Sequence, residues 1–330
     1  MKKLQISVGC CNYDRTVAVL DGRAPVEGCE VIPAAIEPEE AFHRAFRFAE
    51  FDVSELSLSS HTMMTSRGQN DYVGIPAFVS RLFRHSGIYI RDDRGIQSPA
   101  DLRGKVVGLP EYQITANVWI RGIMKDDYGL EPASVHWRRG GVEEAGRLER
   151  APLKLPAGID LQQVRDDGTL SSMLESGELD AVISARAPSC YTRGAPHVKR
   201  MFEDYPAAEA DYFQRTSIFP IMHIIGIRKT LAEQNPWLPV SLLKSFMHAK
   251  DICMEELGQI GHLFNSLPWG VAAFEQAKQL MGEDYWSYGF EANHHVLDTF
   301  CRYHFEQGLS ERRIEPRELF TASSQDLTKI

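Results

Sequence analysis

The chain has 330 residues, of which 43% are hydrophobic and 25% are charged, a globular balance that excludes a disordered or fibrous protein. This length exceeds what one hydrophobic core usually supports, so two lobes are expected. The formal net charge is −9 and no basic stripe stands out, so nucleic acid is not an expected partner.

The amino-terminal residues favour a cytoplasmic location. Residues 1–8 carry two lysines but lack the apolar run of about 7–15 residues that a signal peptide requires. No later stretch approaches the roughly 18 consecutive apolar residues of a membrane span, so we expect no membrane association. The six cysteines form no CxxC pair, which favours reduced thiols; Cys10 and Cys11 leave a nucleophile as an open alternative.

A strand, a polar turn and a helix follow one another four times along the chain. Residues 4–9 predict the first strand, and the apolar run from Val17 predicts the helix after it. The pattern recurs with strands at 51–58, 105–109 and 179–183. Such repeats predict an α/β architecture with largely parallel sheets, in which ligands bind beyond the carboxyl ends of the strands.

Two further predicted strands, residues 86–90 and 223–227, are interpreted as crossings between the lobes. Lobe one is then discontinuous, with residues 1–91 and 218–330, and lobe two is the insertion 92–217.

Two segments have no strand pattern. Residues 138–158, rich in Gly, Glu, Arg and Pro, predict a surface loop or a mobile flap. Residues 237–320 predict a helical series that Pro268, Gly282 and Gly308 interrupt.

The segments 98–108 and 169–181 resemble type II periplasmic binding proteins, which implies a two-lobed fold with a ligand cleft and a helical carboxyl-terminal region. Six further segments together resemble the 4,5-dihydroxyphthalate decarboxylase family: residues 13–15, 57–60, 80–85, 110–113, 184–188 and 219–223. The resemblance implies a carboxy-lyase that converts 4,5-dihydroxyphthalate, a small aromatic dicarboxylate, to 3,4-dihydroxybenzoate and CO2.

This chemistry requires protonation of the ring carbon that carries the departing carboxylate. A hydroxyl para to that carbon supplies electrons, so no cofactor is expected. Histidine suits the role of proton donor, and His85 and His223 are the candidates because each adjoins a predicted crossing strand. An assisting divalent metal stays open as an alternative, with the same two histidines as ligands.

A dianionic substrate also requires cations, and guanidinium groups bind carboxylates at two points. Arg15 and Arg186 follow predicted strands, whereas Arg81 and Arg84 lie within four residues of His85. These four arginines are the predicted carboxylate clamps.

Polar residues of the predicted turns complete the candidate site. Ser59, Ser60 and Thr115 lie at predicted helix starts, where hydroxyl and free N–H groups receive anions, although ordinary helix capping explains them equally well. Asp14 and Glu111 are candidate catalytic carboxylates, and Tyr112 is a candidate ligand of the catechol hydroxyls.

The main alternative is a solute-binding protein of the same fold that captures a small aromatic or carboxylate ligand without turnover. A ligand-sensing or precursor-synthesis protein of the same fold is a third hypothesis, although no dedicated cysteine cluster supports it. Base rates for soluble enzymes favour a homo-oligomer.

Overall fold

A computed structural model of the chain describes residues 2–149 and 151–326 and divides it into two compact units. Unit 1 comprises the described residues up to Arg81, Phe213–Asp298 and the described residues from Ile314. Unit 2 comprises Leu82–Tyr212 and Thr299–Arg313. Two parts were expected from the chain length, and each carries one sheet.

The boundaries of the units differ from the predicted ones in three places. The first boundary falls at Arg81, so the predicted crossing strand near residue 90 belongs wholly to unit 2. Residues 213–217 belong to unit 1, and residues 299–313 return to unit 2. The sequence pattern does not indicate that residues 299–313 belong to unit 2, because they continue the helical series of the tail.

Unit 1 is built on a five-stranded sheet with the order β2-β1-β3-β11-β4. Its strands are β1 (Leu4–Cys10), β2 (Cys29–Ala35), β3 (Val53–Ser57), β4 (Tyr72–Arg81) and β11 (Ile221–Arg228). Its helices are α1 (Val17–Leu20), α2 (Pro38–Phe48), α3 (Leu58–Ser66), α8 (Lys229–Gln234), α9 (Leu238–Leu257), α10 (Gly270–Met281) and α12 (Ala322–Gln325). All five residues of β3 are buried, as expected of a strand covered on both faces.

Unit 2 is built on a six-stranded sheet with the order β10-β5-β9-β6-β7-β8. Its strands are β5 (Ile88–Arg91), β6 (Val106–Leu109), β7 (His136–Arg139), β8 (Asp160–Gln163), β9 (Ala181–Ile183) and β10 (Val198–Arg200). Its helices are α4 (Thr115–Tyr128), α5 (Leu170–Ser176) and α6 (Ser189–Thr192), while α7 (Tyr205–Thr216) and α11 (His294–Glu306) each contain a unit boundary.

Both sheets are mixed, which corrects the expectation of largely parallel sheets. In unit 1, β1 pairs in parallel with β2 and β3, whereas β11 is antiparallel to β3 and β4. In unit 2, β5 is antiparallel to β9 and β10. The antiparallel strands β5 and β11 are the two that the sequence singled out as crossings.

The four predicted strand-to-helix units are confirmed as β1, β3, β6 and β9, each followed by a helix. In both sheets the loops after these strands carry the polar residues that the sequence singled out. The predicted flap begins inside β7, so its first two residues are strand rather than loop. Within the described part of the chain, no helix has both the length and the apolar character that crossing a membrane requires.

Candidate active site

Glu55, in the middle of β3, is a fully buried carboxylate that accepts four hydrogen bonds. Its Oε1 accepts from the Tyr13 hydroxyl at 2.8 Å and lies 2.7 Å from Nδ1 of His223. Its Oε2 accepts from the backbone N–H of Cys11 at 2.9 Å and from the Cys10 thiol at 3.7 Å. A buried carboxylate of this kind is stable only because its oxygens are satisfied by donors.

Strand pairing in unit 1 brings these groups together. Parallel pairing of β1 with β3 places Cys10 alongside Glu55. Antiparallel pairing of β11 with β3 places His223 opposite Ser57, two residues beyond Glu55. His223 and Glu55 are therefore diagonal neighbours on one face of the sheet, a spacing that long side chains can bridge.

His223 lies at an irregularity of its strand. The pairing of β11 with β4 shifts register on both sides of His223, and such bulges re-aim side chains. The imidazole packs edge-on against the Phe42 ring at 4.8 Å and keeps 18% of its side-chain surface exposed. One ring nitrogen is thus hydrogen-bonded to Glu55, while part of the imidazole remains exposed.

The charges of this cluster follow from its hydrogen bonds. Burial raises the pKa of Glu55, but the hydrogen bonds from His223, Cys11 and Tyr13 outweigh burial, so its pKa lies below the ordinary value. Burial and the Glu55 charge raise the pKa of Tyr13, which therefore keeps its proton. Because an ionised carboxylate only accepts, Nδ1 of His223 is the donor, and Nε2 is the nitrogen left for proton exchange.

The same environment argues against a cysteine nucleophile. Cys10 is fully buried, and burial together with the Glu55 charge raises the pKa of its thiol well above the ordinary value. Burial also raises the pKa of Cys11. Because the thiolate is the reactive form, both positions disfavour nucleophilic chemistry.

Arg15 is held rigidly beside this cluster. Its guanidinium lies between the rings of Tyr13 and Trp286, with its central carbon 4.3 Å and 4.1 Å from their centroids. Nε donates to the carbonyl of Val79 at 2.7 Å, and Nη1 forms a 2.9 Å ion pair with Asp14. Stacking and hydrogen bonding thus fix a cation whose side chain stays partly exposed. Asp14 is far more exposed and pairs with Arg15 rather than joining the Glu55 cluster.

The first turn of α3 adjoins His223 through the pairing of β3 with β11. The helix starts at Leu58, and Ser57 is its N-cap, whose Oγ accepts from the N–H of Ser60 at 3.4 Å. The predicted start at Ser59 is thus one residue late, and Ser59 and Ser60 are buried residues of the first turn. Their position at a helix amino terminus still suits an anion.

Arg81 lies in the interior of unit 1 instead of facing a ligand. Its Nη groups donate to the carbonyls of Phe219 at 3.0 Å and Ser287 at 2.7 Å, and to the side-chain oxygen of Asn293. Burial lowers its pKa to about 9. The predicted clamp role is therefore not supported, because the guanidinium joins three segments of unit 1.

His85 and Arg84 belong to unit 2, in and beside a short 3-10 turn before β5. The His85 ring is buried between the rings of Phe202 and Tyr212, at 5.3 Å and 5.2 Å. Burial lowers the pKa of Arg84 to about 10, and the charge of Glu209 opposes this shift. The cavity that both residues border has a volume of about 10 Å³, too small for an aromatic acid. This environment does not support His85 as the proton donor or Arg84 as a clamp.

The side chains of the turn between β6 and α4 are buried by contacts with other residues of unit 2. Glu111 is buried and forms a 2.7 Å ion pair with Arg147. Tyr112 is fully buried beneath Arg121, whose guanidinium carbon lies 3.7 Å above the ring. Thr115 is the buried first residue of α4. The predicted roles of Glu111 and Tyr112 on a substrate are therefore not supported in this arrangement.

The loop that the sequence predicted as a flap is anchored by carboxylates. Glu149 accepts from the backbone N–H of Tyr112 at 2.5 Å, and Glu143 accepts from the N–H and hydroxyl of Ser189 at 2.7 Å and 2.6 Å. Burial raises the pKa of Glu149 to about 7, the nearby charge of Glu111 adds to the rise, and the N–H groups oppose it. Carboxylates of this loop thus accept hydrogen bonds from backbone N–H groups that follow the carboxyl ends of β6 and β9.

Arg186 is the predicted clamp that unit 2 leaves accessible. It lies in the turn after β9 with an exposed side chain, and its backbone N–H donates to the Ser184 hydroxyl at 3.2 Å. Its guanidinium has no ion pair among the described residues.

Among the described residues, one group offers three ligands for a metal ion: Asp92, Asp93 and His197, all at the surface of unit 2. Lys199 and Arg91 already form ion pairs with its two aspartates. Neither His85 nor His223, the histidines for which a metal was an open alternative, belongs to this group.

Comparison with known proteins decides the family. No family model matches the chain. It is 47% identical over 330 residues to the 4,5-dihydroxyphthalate decarboxylase of Comamonas testosteroni, with both chains covered completely. The chain belongs to the 4,5-dihydroxyphthalate decarboxylase family. A relative of the same name from Pseudomonas putida is 49% identical over 217 residues, which are 66% of this chain and 84% of that protein.

Membership of this family confirms the expectation of a carboxy-lyase over that of a non-catalytic solute-binding protein.

Solved structures confirm the predicted scaffold. The periplasmic aliphatic sulphonate binding protein SsuA of Escherichia coli matches 97% of the carboxy-lyase and 98% of its own chain, with a TM-score of 0.56 at 11% identity. A putative SsuA of Methylobacillus flagellatus matches 98% and 92%, with a TM-score of 0.58 at 13% identity. At this identity the likeness shows the fold alone.

Sequence reasoning missed three acidic or basic residues that matter most in the two units. The sequence pattern predicts only a strand at Glu55, although a lone carboxylate among the residues of a buried strand is a signal of a functional group. Arg147 and Glu149 lie in a loop whose composition predicted exposure. Their contacts with the turn at Glu111 join residues far apart in sequence, so no local pattern carries them.

We expect the substitution Arg81→Met to lower the free energy of unfolding by about 2–4 kcal/mol, because three buried or partly buried oxygen acceptors each lose a hydrogen bond from a charged donor. Arg186→Met, at an exposed guanidinium, is the matched control and should change it by less than about 0.5 kcal/mol. Chemical denaturation measures both. Equal stabilities of the two variants would contradict the interior role of Arg81.

Glu149 should make stability depend on pH. Its folded-state pKa of about 7 lies above the ordinary 4.5, so the stabilisation is complete below about pH 4.5 and is lost as pH rises through 7. We expect the unfolding free energy of the wild type to fall relative to Glu149→Gln between pH 5 and 8, by at most a few kcal/mol. Urea denaturation at both pH values tests this, with Glu144→Gln in the same loop as control. Parallel pH dependence of wild type and Glu149→Gln would contradict it.

Proposed function

We propose that the chain converts 4,5-dihydroxyphthalate to 3,4-dihydroxybenzoate and CO2, with His223 as the proton donor. The observation that carries the proposal is the buried Glu55 carboxylate bound to Nδ1 of His223 at 2.7 Å. Both curated relatives bear the name of this activity, which supports the choice of substrate. We further infer that the reaction takes place in the cytoplasm and requires no cofactor.

The decarboxylation balances with one proton taken from the solvent in each cycle. Each carboxylate of 4,5-dihydroxyphthalate is para to a hydroxyl, whose oxygen donates electron density to the carbon that carries the carboxylate. Nε2–H of the His223 imidazolium delivers its proton to that carbon. The bond to the carboxylate then breaks, its electron pair restores the aromatic ring, and CO2 leaves. His223 regains its proton from water for the next cycle.

Glu55 serves this step by position and charge. Its buried carboxylate keeps the imidazole in one orientation and stabilises the imidazolium before transfer. Glu55 does not exchange the proton itself, because its hydrogen bonds keep its pKa below the ordinary value. It is therefore a positioning residue for His223.

Arg15 supplies the cation that receives one substrate carboxylate. Tyr13 links it to the proton donor, since the Tyr13 ring stacks on Arg15 and its hydroxyl donates to Glu55. The first turn of α3 adds the positive end of the helix dipole next to His223. A rigid cation and a rigid donor in one unit favour a fixed orientation of the ring.

The first experiment incubates chelator-treated protein with 4,5-dihydroxyphthalate and measures products by chromatography. We expect equal amounts of 3,4-dihydroxybenzoate and CO2, and no turnover of phthalate, which lacks the para hydroxyls. A thermal shift with 4,5-dihydroxyphthalate but no consumption, even with added divalent metals, would reject the proposed reaction. Turnover that appears only with added metal would reject cofactor independence alone.

The proposed roles predict different kinetic changes. His223→Gln should lower kcat by about 100-fold or more, the usual scale for loss of a general acid. Glu55→Gln should lower kcat more than it raises KM, because the imidazole loses the anionic partner that orients it. Arg15→Met should raise KM more than it lowers kcat.

Steady-state kinetics from pH 5 to 9 measure these changes. His248→Ala, at an exposed histidine of α9, is the matched control and should behave as wild type. Near-normal kcat in His223→Gln would remove this histidine from the mechanism. An unchanged kcat in Glu55→Gln with normal folding would restrict Glu55 to a structural role.

A further inference from the structure

The loop between α9 and α10, residues 258–270, presents large apolar side chains to solvent; we name it the apolar loop. Five of the eleven exposed large hydrophobic residues of the described chain lie within it. They are Ile260 at 86% exposure, Leu263 at 52%, Phe264 at 53%, Leu267 at 63% and Trp269 at 79%. Single exposed apolar residues are ordinary, but a contiguous group of this size marks an interaction surface.

Charge is absent from the apolar loop. No Asp, Glu, Lys or Arg occurs from Gly258 to Ala273, in a protein in which 25% of residues are charged. Charged residues resume on both sides, at Glu256 and Glu275. An uncharged apolar centre with a charged rim is the composition of a protein interface.

The apolar loop is also held in a defined shape. The side-chain oxygen of Asn265 accepts from the N–H of Leu267 at 2.9 Å, and the N–H of Gly270 donates to the Leu267 carbonyl at 3.0 Å. A Cβ at Gly270 would approach the Asn265 side chain to 2.8 Å, so glycine permits this close turn. The apolar side chains are thus presented by a folded turn, which lowers the entropy lost on association.

We propose that the apolar loop is the interface through which two copies of this chain associate. Its five side chains present on the order of 600 Å² of apolar surface, near the roughly 800 Å² that each partner contributes to a standard interface. In a twofold arrangement the loop faces its own copy, and no like charges meet at the centre. A membrane fits less well, because the loop has no Lys or Arg for anionic headgroups and the chain carries a net charge of −9.

Sedimentation velocity of the full chain, from about 0.1 to 100 μM, tests this proposal without reference to activity. We expect the wild type to associate in this range, and the double variant Ile260→Ser, Trp269→Ser to raise the dissociation constant at least about 100-fold, the scale of two lost apolar anchors. Phe48→Ser removes an apolar side chain of α2 that is 63% exposed and lies outside the apolar loop, and it should leave association unchanged.

Far-UV circular dichroism and thermal unfolding of the double variant confirm that it is folded. If it does not fold, the milder Trp269→His replaces it in the same measurement. A wild type that stays monomeric at 100 μM, or a folded variant that associates as tightly as wild type, would overturn the proposal. Flotation of the wild type with neutral phosphatidylcholine vesicles, lost in the same variant, would overturn it in favour of a lipid surface.

Discussion

The constraint on which unit 1 depends is the Glu55 carboxylate, buried in the centre of a sheet. A charge in that position is tolerated only when donors surround it, and here β1, β11 and the turn after β1 each supply one or more. These donors fix the relative register of three strands. The imidazole of His223 is one of these donors, so the hydrogen bond that a buried charge requires also orients the group that we propose as the proton donor.

The arginines of the chain show how burial separates similar residues into different roles. Arg15 is stacked between two rings, pairs with the exposed carboxylate of Asp14 and remains partly exposed, which is the environment that our proposal uses for carboxylate binding. Arg81 is buried, and its donors are used by backbone and amide oxygens of its own unit. Arg121 is likewise buried, with Nη2 bonded to the Tyr112 carbonyl at 2.6 Å. A guanidinium that satisfies interior acceptors stabilises the fold and has little left to offer a ligand.

In unit 2, the turns at the carboxyl ends of the strands are occupied by the protein itself. Glu143 and Glu149 accept hydrogen bonds from backbone amides after β9 and β6, and Arg147 forms an ion pair with Glu111. Arg186 alone among the predicted unit 2 clamps keeps an exposed side chain without an ion pair among the described residues. The polar groups of unit 1 therefore carry most of the proposed chemistry.

The amino-acid sequence determined the α/β class, the four strand-to-helix units and the family, because periodicity, turn residues and short motifs are local properties. It also pointed to His223 and Arg15. Only the tertiary structure decided that Glu55 is the partner of His223, that Arg81 and His85 are interior, and that β5 and β11 run antiparallel to their neighbours. The physical reason is that burial and hydrogen bonding depend on contacts such as that of Glu55 with His223, which lie 168 residues apart and leave no periodic signal.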